Sequence, residues 1–408
     1  MKGVLMAIAL LVVAATARGQ QSTPRPRARD LGVPFTGTPG PFNAITDVAG
    51  VEVGETTIIS GSGAKVVGKG PVRTGVTAIL PRGHAASDTV FAGWATLNGN
   101  GEMTGTTWVR ESGFLEGPVL ITNTISVGTV RDAVIAWSLR NGRRWDYELP
   151  VVAETWDGNL NDIEGFHVRA EHVFAALDGA RGGPVPEGNV GGGTGMKCHE
   201  FKGGTGTSSR RVTTKAGSYT VGVLVQCNYG FRSPLRVAGV PVGEEIRDLM
   251  PCFAGGAPER AVHRSEYALC GAAGARVEER DVGSIIVVIA TDAPLLPHQL
   301  ERLAKRATVG IARNGGYGSN TSGDIFIAFS TANAGAASAT DTTRVTMLPN
   351  DEITPLFAGV AEATEESIIN ALVAAETMTG VDNFKVWALP HDRLQALLKK
   401  YNRLTTPD

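Results

Sequence analysis

Glu278-Glu279-Arg280-Asp281-Val282-Gly283-Ser284-Ile285-Ile286-Val287-Val288-Ile289 sets a charged stretch directly against five consecutive β-branched residues. Such a run, apolar without alternation, reads as a strand buried on both faces. Upstream, Met250–Val282 is Gly/Ala-rich and charged, which reads as a loop. The junction of loop and strand is Gly283-Ser284. A serine freed from its preceding peptide bond would carry a nucleophilic hydroxyl beside its own α-amine. That amine has a free pKa of about 7.7–8.0, so it can take the hydroxyl proton without a histidine. A glycine before the bond would let the serine oxygen reach the carbonyl. The same dipeptide is also an ordinary strand entry, and spacing alone favours that reading.

Outward from this strand the chain alternates. Further strands are expected at Val51–Ile59, Gly75–Leu80, Pro118–Thr122, Tyr219–Gln226, Ile325–Ser330 and Thr343–Leu348. Helices are expected at Val130–Arg140, Val168–Leu177 and Pro297–Asn314, the last with Leu300, Leu303, Ala304, Ala307 and Ile311 on one face. Another opens with Thr354 as N-cap and Pro355 as first helical residue and runs to about Thr379; His391–Leu404 is the last. Asp178–Ser209, rich in Gly pairs, reads as a second loop. The pattern is that of a layered α/β or α+β domain.

Over 408 residues, 38 Lys+Arg against 40 Asp+Glu leave a formal charge of −2, with no basic footprint for nucleic acid. At 42% hydrophobic and 19% charged, the composition can bury a core. The 52 glycines, about 13% against a usual ~7%, announce tight turns and close backbone approaches. Lys2, the apolar run Val4–Ala15 and Ala15-Thr16-Ala17 have the order of a secretory signal, residues 1–17, too short to span a bilayer. We therefore expect an exported chain, periplasmic or secreted and without a membrane anchor, with Gln20–Asp30 as a disordered leader. Export permits disulfides; of the three pairings open to Cys198, Cys227, Cys252 and Cys270, Cys252–Cys270 is favoured because it flanks one insertion, and free thiols remain the alternative.

Several chemistries are excluded. Gly195-Met196-Lys197-Cys198 breaks the phosphate-loop pattern, no Ser has Gly at both −2 and +2, and His199-Glu200 is not followed by a second His at zinc-site spacing. The seven His suggest surface or capping roles, and no metal or cofactor is expected.

Blocks spread in order along the chain carry a resemblance. They are Leu97–Gly105, Val152–Thr155 with Asp157-Gly158, Gly192–Met196, Val225–Gly230, Gly283–Leu295, Ser319–Asp324 and Ala328–Ala332. Together they resemble the L-aminopeptidase D-esterase/amidase and β-peptidyl aminopeptidase family of self-processing serine hydrolases. The resemblance implies an α+β fold, a four-layer αββα sandwich like the N-terminal-nucleophile hydrolases but differently connected. It implies cleavage at Gly283-Ser284 into an α chain, 18–283, and a β chain, 284–408, forming one intertwined domain. It makes Ser284 the nucleophile, Ser322 and Asp324 the pair that orients and activates it, Asn228 the oxyanion donor and Glu154 the anchor of the substrate's free amine.

The implied substrate is a small peptide or an amino-acid amide or ester. The implied assembly is a homotetramer of αβ heterodimers. Trp156 stands where the best-known members carry Tyr, beside the site, and the Phe231–Val282 loop is longer than usual; both bear on substrate choice. The alternatives are a hydrolase of ω-amino-acid amides, an acyltransferase of kindred fold, and a catalytically dead binding relative.

Overall fold

Ser284–Thr291, the strand entered from Gly283-Ser284, sits near the middle of a six-stranded sheet. The computed structural model describes residues 25–86, 88–143, 149–255, 267–272, 283–338 and 340–406. The expected signal, 1–17, lies outside them, as do 273–282 before the Gly283-Ser284 bond.

In chain order this sheet draws on β3 (Val90–Gly99), β4 (Phe114–Leu115), β9 (Gly204–Thr214), β10 (Gly217–Asn228), β12 (Ser284–Thr291) and β13 (Gly323–Ser330), arranged β4-β3-β13-β12-β10-β9. A four-stranded sheet, β1-β2-β5-β6, is made by β1 (Glu52–Ser60), β2 (Val72–Leu80), β5 (Val119–Asn123) and β6 (Val151–Thr155). Small ribbons complete it: β7 (Lys197–Cys198) with β8 (Phe201–Lys202), and β11 (Cys252–Phe253) with β15 (Phe384–Val386) and β14 (Met378–Thr379).

Both faces of β12 are buried, as its unbroken aliphatic run requires. Ile285, Val287 and Ile289 face a helical layer, while Ile286, Val288 and Ala290 face the other sheet. The helical layer holds α4 (Val242–Glu245), α5 (Pro297–Ala304), α6 (Ala307–Arg313), α7 (Thr354–Ala374) and α8 (His391–Lys400). Across the four-stranded sheet lie α2 (Val127–Arg140) and α3 (Ala170–Asp178), packed on Val76, Ala78, Leu120 and Val152. The short α1 (Thr106–Ser112) closes the edge beside β3. Helix, sheet, sheet, helix is the four-layer α+β order expected.

Local readings needed correction. Thr343–Leu348 forms no strand: it lies at the surface with Val345 and Met347 exposed, and Leu348 alone is buried. The helix expected over Pro297–Asn314 breaks at Lys305-Arg306, although all five residues of its apolar face are buried. The long helix is capped by Ile353 rather than Thr354 and stops at Ala374, because Ala375 turns extended and leads into β14. The Asp178–Ser209 loop contains the start of β9. Its glycines serve packing: a Cβ at Gly206 would collide with the Ser367 carbonyl oxygen of α7.

The leader is ordered from Arg25 on. Arg29 pairs through two nitrogens with Glu366, Arg27 with Glu187, Arg25 with Glu376, and the Ala28 N–H donates to Asn370. His199 is buried rather than at the surface, its Nδ1 2.8 Å from the Phe231 carbonyl oxygen. The favoured disulfide, Cys252–Cys270, is present, and Cys198–Cys227 forms a second that no spacing had singled out.

Candidate active site

Strand register brings the distant residues together. Ser284, first in β12, lies opposite Asn228, last in the antiparallel neighbour β10. On its other side it pairs in parallel with Gly323, first in β13. Ser322 and Asp324 flank that glycine, so four sequence-predicted residues meet at one end of three adjacent strands.

The Gly323 N–H donates to Ser284 Oγ at 3.1 Å, which fixes the hydroxyl oxygen and leaves its proton to point elsewhere. Ser322 Oγ lies 2.7 Å from Asp324 Oδ2 and 2.9 Å from the Ser319 carbonyl oxygen, so it is within donating reach of two acceptors. Both Ser322 and Asp324 are buried, so solvent does not compete for the pair.

Asn228 is held from both ends. Its Oδ1 accepts from the Lys197 N–H at 2.8 Å and its Nδ2 donates to the Trp156 carbonyl at 2.9 Å. A carboxamide has two N–H bonds, so one remains to face a developing oxyanion. The tie to Trp156 runs through its main chain, which any residue at 156 supplies; the indole lies against Gly158, so Trp for Tyr reshapes the wall beside the site. Gly283 abuts the same corner: a Cβ there would collide with the Asn228 carbonyl oxygen and stand 2.6 Å from Tyr229 Cα, so only glycine fits before Ser284.

Glu154, in β6 of the other sheet, reaches the same region. A Cβ placed on Gly101 would stand 3.2 Å from both Glu154 Oε1 and Gly323 Cα. The carboxylate is buried, accepting from the Glu102 N–H at 3.0 Å and from the Thr124 hydroxyl in a short hydrogen bond. Burial pushes the Glu154 carboxyl above its ordinary range, while Thr124 and the Glu102 N–H pull it back. No cation is paired with it in the described structure, which suits a group awaiting an ammonium.

Supporting residues escaped the sequence reading. Asn98 Nδ2 donates to the Ser322 carbonyl at 2.6 Å, and Asn100 donates to the Thr321 and Ser322 carbonyls at 2.8 and 3.1 Å. They hold the 319–322 turn in place. The Leu97–Gly105 block was visible as a block, but its partners are more than 200 residues away. Thr124 had no signal, being a lone Thr after a strand.

Comparison with known proteins shows the family. Residues 43–386 match the model of peptidase family S58. The chain is 56% identical to the β-peptidyl aminopeptidase BapA of Sphingosinicella microcystinivorans, over 97% of this chain and 96% of that one. It is 50% identical to the BapA of Sphingosinicella xenopeptidilytica, over 97% and 95%. Among solved structures, the L-aminopeptidase D-Ala-esterase/amidase of Ochrobactrum anthropi, described as a new variant of the Ntn hydrolase fold, superposes with a TM-score of 0.82 at 46% identity. That superposition covers 93% of this chain and all of that one. A Burkholderia β-aminopeptidase gives 0.77 at 49% identity, covering 92% and 98%. A match across most of the chain, with relatives of this identity along nearly full length, means that the chain belongs to peptidase family S58 and is a serine aminopeptidase.

Proposed function

We propose that the chain cuts itself at Gly283-Ser284 and then removes N-terminal residues, β-amino acids among them, from small peptides, amides or esters. The observation that carries this reading is the placement of the buried Glu154 carboxylate beside the glycine that holds Ser284 Oγ. A substrate ammonium paired with Glu154 puts the first carbonyl of a short N-terminal residue within reach of that oxygen. The two BapA relatives support β-amino-acid substrates, and the Ochrobactrum enzyme supports amide and ester cleavage.

In the mature form the freed Ser284 amine takes the hydroxyl proton as Oγ attacks the carbonyl carbon. The second Asn228 N–H meets the oxyanion, and the Ser322–Asp324 pair orients the amine. The proton passes to the leaving amine as the scissile bond breaks, and water hydrolyses the acyl-serine ester. The α chain begins near residue 18 after export, and the αβ units assemble as tetramers.

A panel of p-nitroanilides with a β-homoamino acid, an L-α-amino acid or a D-amino acid, each free and N-acetylated, tests the reading. We expect β-aminoacyl and small L-aminoacyl groups to be released and every acetylated partner to be poor. Equal turnover of free and acetylated substrates would remove the aminopeptidase reading and leave a general amidase.

A further inference from the structure

A cleft of about 350 Å³ opens between β3, α1 and the start of α5, and it shares no residue with the catalytic site. Its volume lies in the range of small-ligand pockets. One wall is apolar, from Val109, Leu296 and Pro297. The other is a set of donors. The Arg110 guanidinium lies over the Trp94 ring at 4.5 Å from its centroid, and Arg110 is solvent-exposed. Trp94 contributes that ring as a platform, its Nε1 being buried away from the cleft. His298 stands at the positive N-terminal end of α5.

Among the described residues, neither the Arg110 guanidinium nor the His298 ring meets an acceptor or a carboxylate. The one acidic side chain in the cleft, Glu301, is already engaged by Lys305 at 2.7 Å. Two cationic side chains, Arg110 and His298, line one cavity, and the acidic residue among its lining, Glu301, is paired with Lys305.

We propose that this cleft binds a carboxylate that carries an apolar arm. Arg110, its guanidinium held over the Trp94 ring, takes the oxygens, His298 adds a second donor, and the arm lies on Val109 and Pro297. The source of the carboxylate is either a separate small acid or the C-terminus of a bound peptide. Trp94 is five residues from Gly99, which pairs with Gly323 beside Ser284. At ~3.3 Å per residue that is roughly 17 Å, beyond a dipeptide and within reach of an extended peptide of five or six residues.

Hippurate is the probe, because its blocked nitrogen cannot supply the ammonium that Glu154 asks for. Titration calorimetry on the purified protein should show hippurate binding, with hippuramide, its uncharged amide, at least tenfold weaker. Arg110→Gln should weaken hippurate by about tenfold, the size of one charge-assisted hydrogen bond. Turnover of a free aminoacyl p-nitroanilide should stay unchanged in that variant. No hippurate binding at millimolar concentration, equal binding of the amide, or full affinity in Arg110→Gln would each overturn the proposal.

The source is read from peptides of two to six residues ending in acid or amide. A preference for the acid that appears at five or six residues and vanishes in Arg110→Gln assigns the cleft to the substrate's tail. Hippurate binding without such a preference assigns it to a separate acid. Loss of activity on the whole series would instead speak against the aminopeptidase reading, and hippurate binding does not depend on it.

Discussion

Glu154 is a buried carboxylate whose charged form takes hydrogen bonds from the Thr124 hydroxyl and the Glu102 N–H among the described residues. Replacing it with Gln keeps the shape and removes the charge. A charged hydrogen bond to the substrate ammonium is worth about 1.5–3 kcal/mol, so Glu154→Gln should lose roughly 10- to 150-fold in kcat/KM on free aminoacyl substrates. It should lose little on acetylated ones. Because burial raises this carboxyl, its protonation should add to the loss of rate on the acidic side at a pH above the ordinary glutamate value, and the Gln variant should keep only the loss set by the Ser284 amine.

Asp324 poses a separate question, since its carboxylate accepts from the Ser322 hydroxyl at 2.7 Å. If the Ser284 amine is the base and the pair orients it, Asp324→Asn should cut kcat more than tenfold with KM nearly kept. The rate should still rise with pH through an amine near 7.7–8.0. Near-native kcat would leave the amine acting alone.

At the level of elements, β12 was legible because five β-branched residues in a row admit little else, and the α5–α6 face was legible by its period. What sequence did not show was partnership. Thr343–Leu348 has the composition of a strand but no neighbour to pair with. The Gly-rich approach to β9 resembled a loop because its glycines make room for neighbours distant in sequence, Gly188 and Gly206 for α7 and Gly191 and Gly195 for β2.

The ordered leader was missed for the same reason: Arg25, Arg27 and Arg29 look solvated until Glu376, Glu187 and Glu366 arrive. Burial alone would raise Glu366, but Arg29 and Arg210 override it and hold the carboxyl below its usual value. Glu366→Ala should strand two guanidinium groups and cost about 3–5 kcal/mol in a urea melt.

Asp157 behaves oppositely. Buried in the turn after β6, it is raised to about 7 from 3.8. The folded state therefore holds its proton more tightly than the unfolded chain. Stability from this group is greatest below pH ~4 and is lost as pH rises towards 7. Asp157→Asn should flatten that part of the Tm-against-pH curve.

For the whole molecule, the decisive feature is that residues on both sides of Gly283-Ser284 belong to one sheet. β12 pairs with β10, from before the bond, and with β13, from after it. Cleavage would cost no strand pairing, and the two chains would stay together through the shared core. The order of the family-like blocks put forward Ser284, Ser322, Asp324, Asn228 and Glu154 as candidates, and strand register brings the first four to one end of the sheet. The supports, Asn98, Asn100, Thr124 and the Lys197 main chain, became visible only once two sheets were stacked.

The central claim is that Ser284 becomes the N-terminal nucleophile by self-cleavage, and intact-mass spectrometry of the purified, active protein addresses it directly. The account predicts two chains, one of them residues 284–408 with Ser284 at its N-terminus, and a single uncut, inactive chain for Ser284→Ala. A native protein that is active while remaining one uncut chain would contradict it.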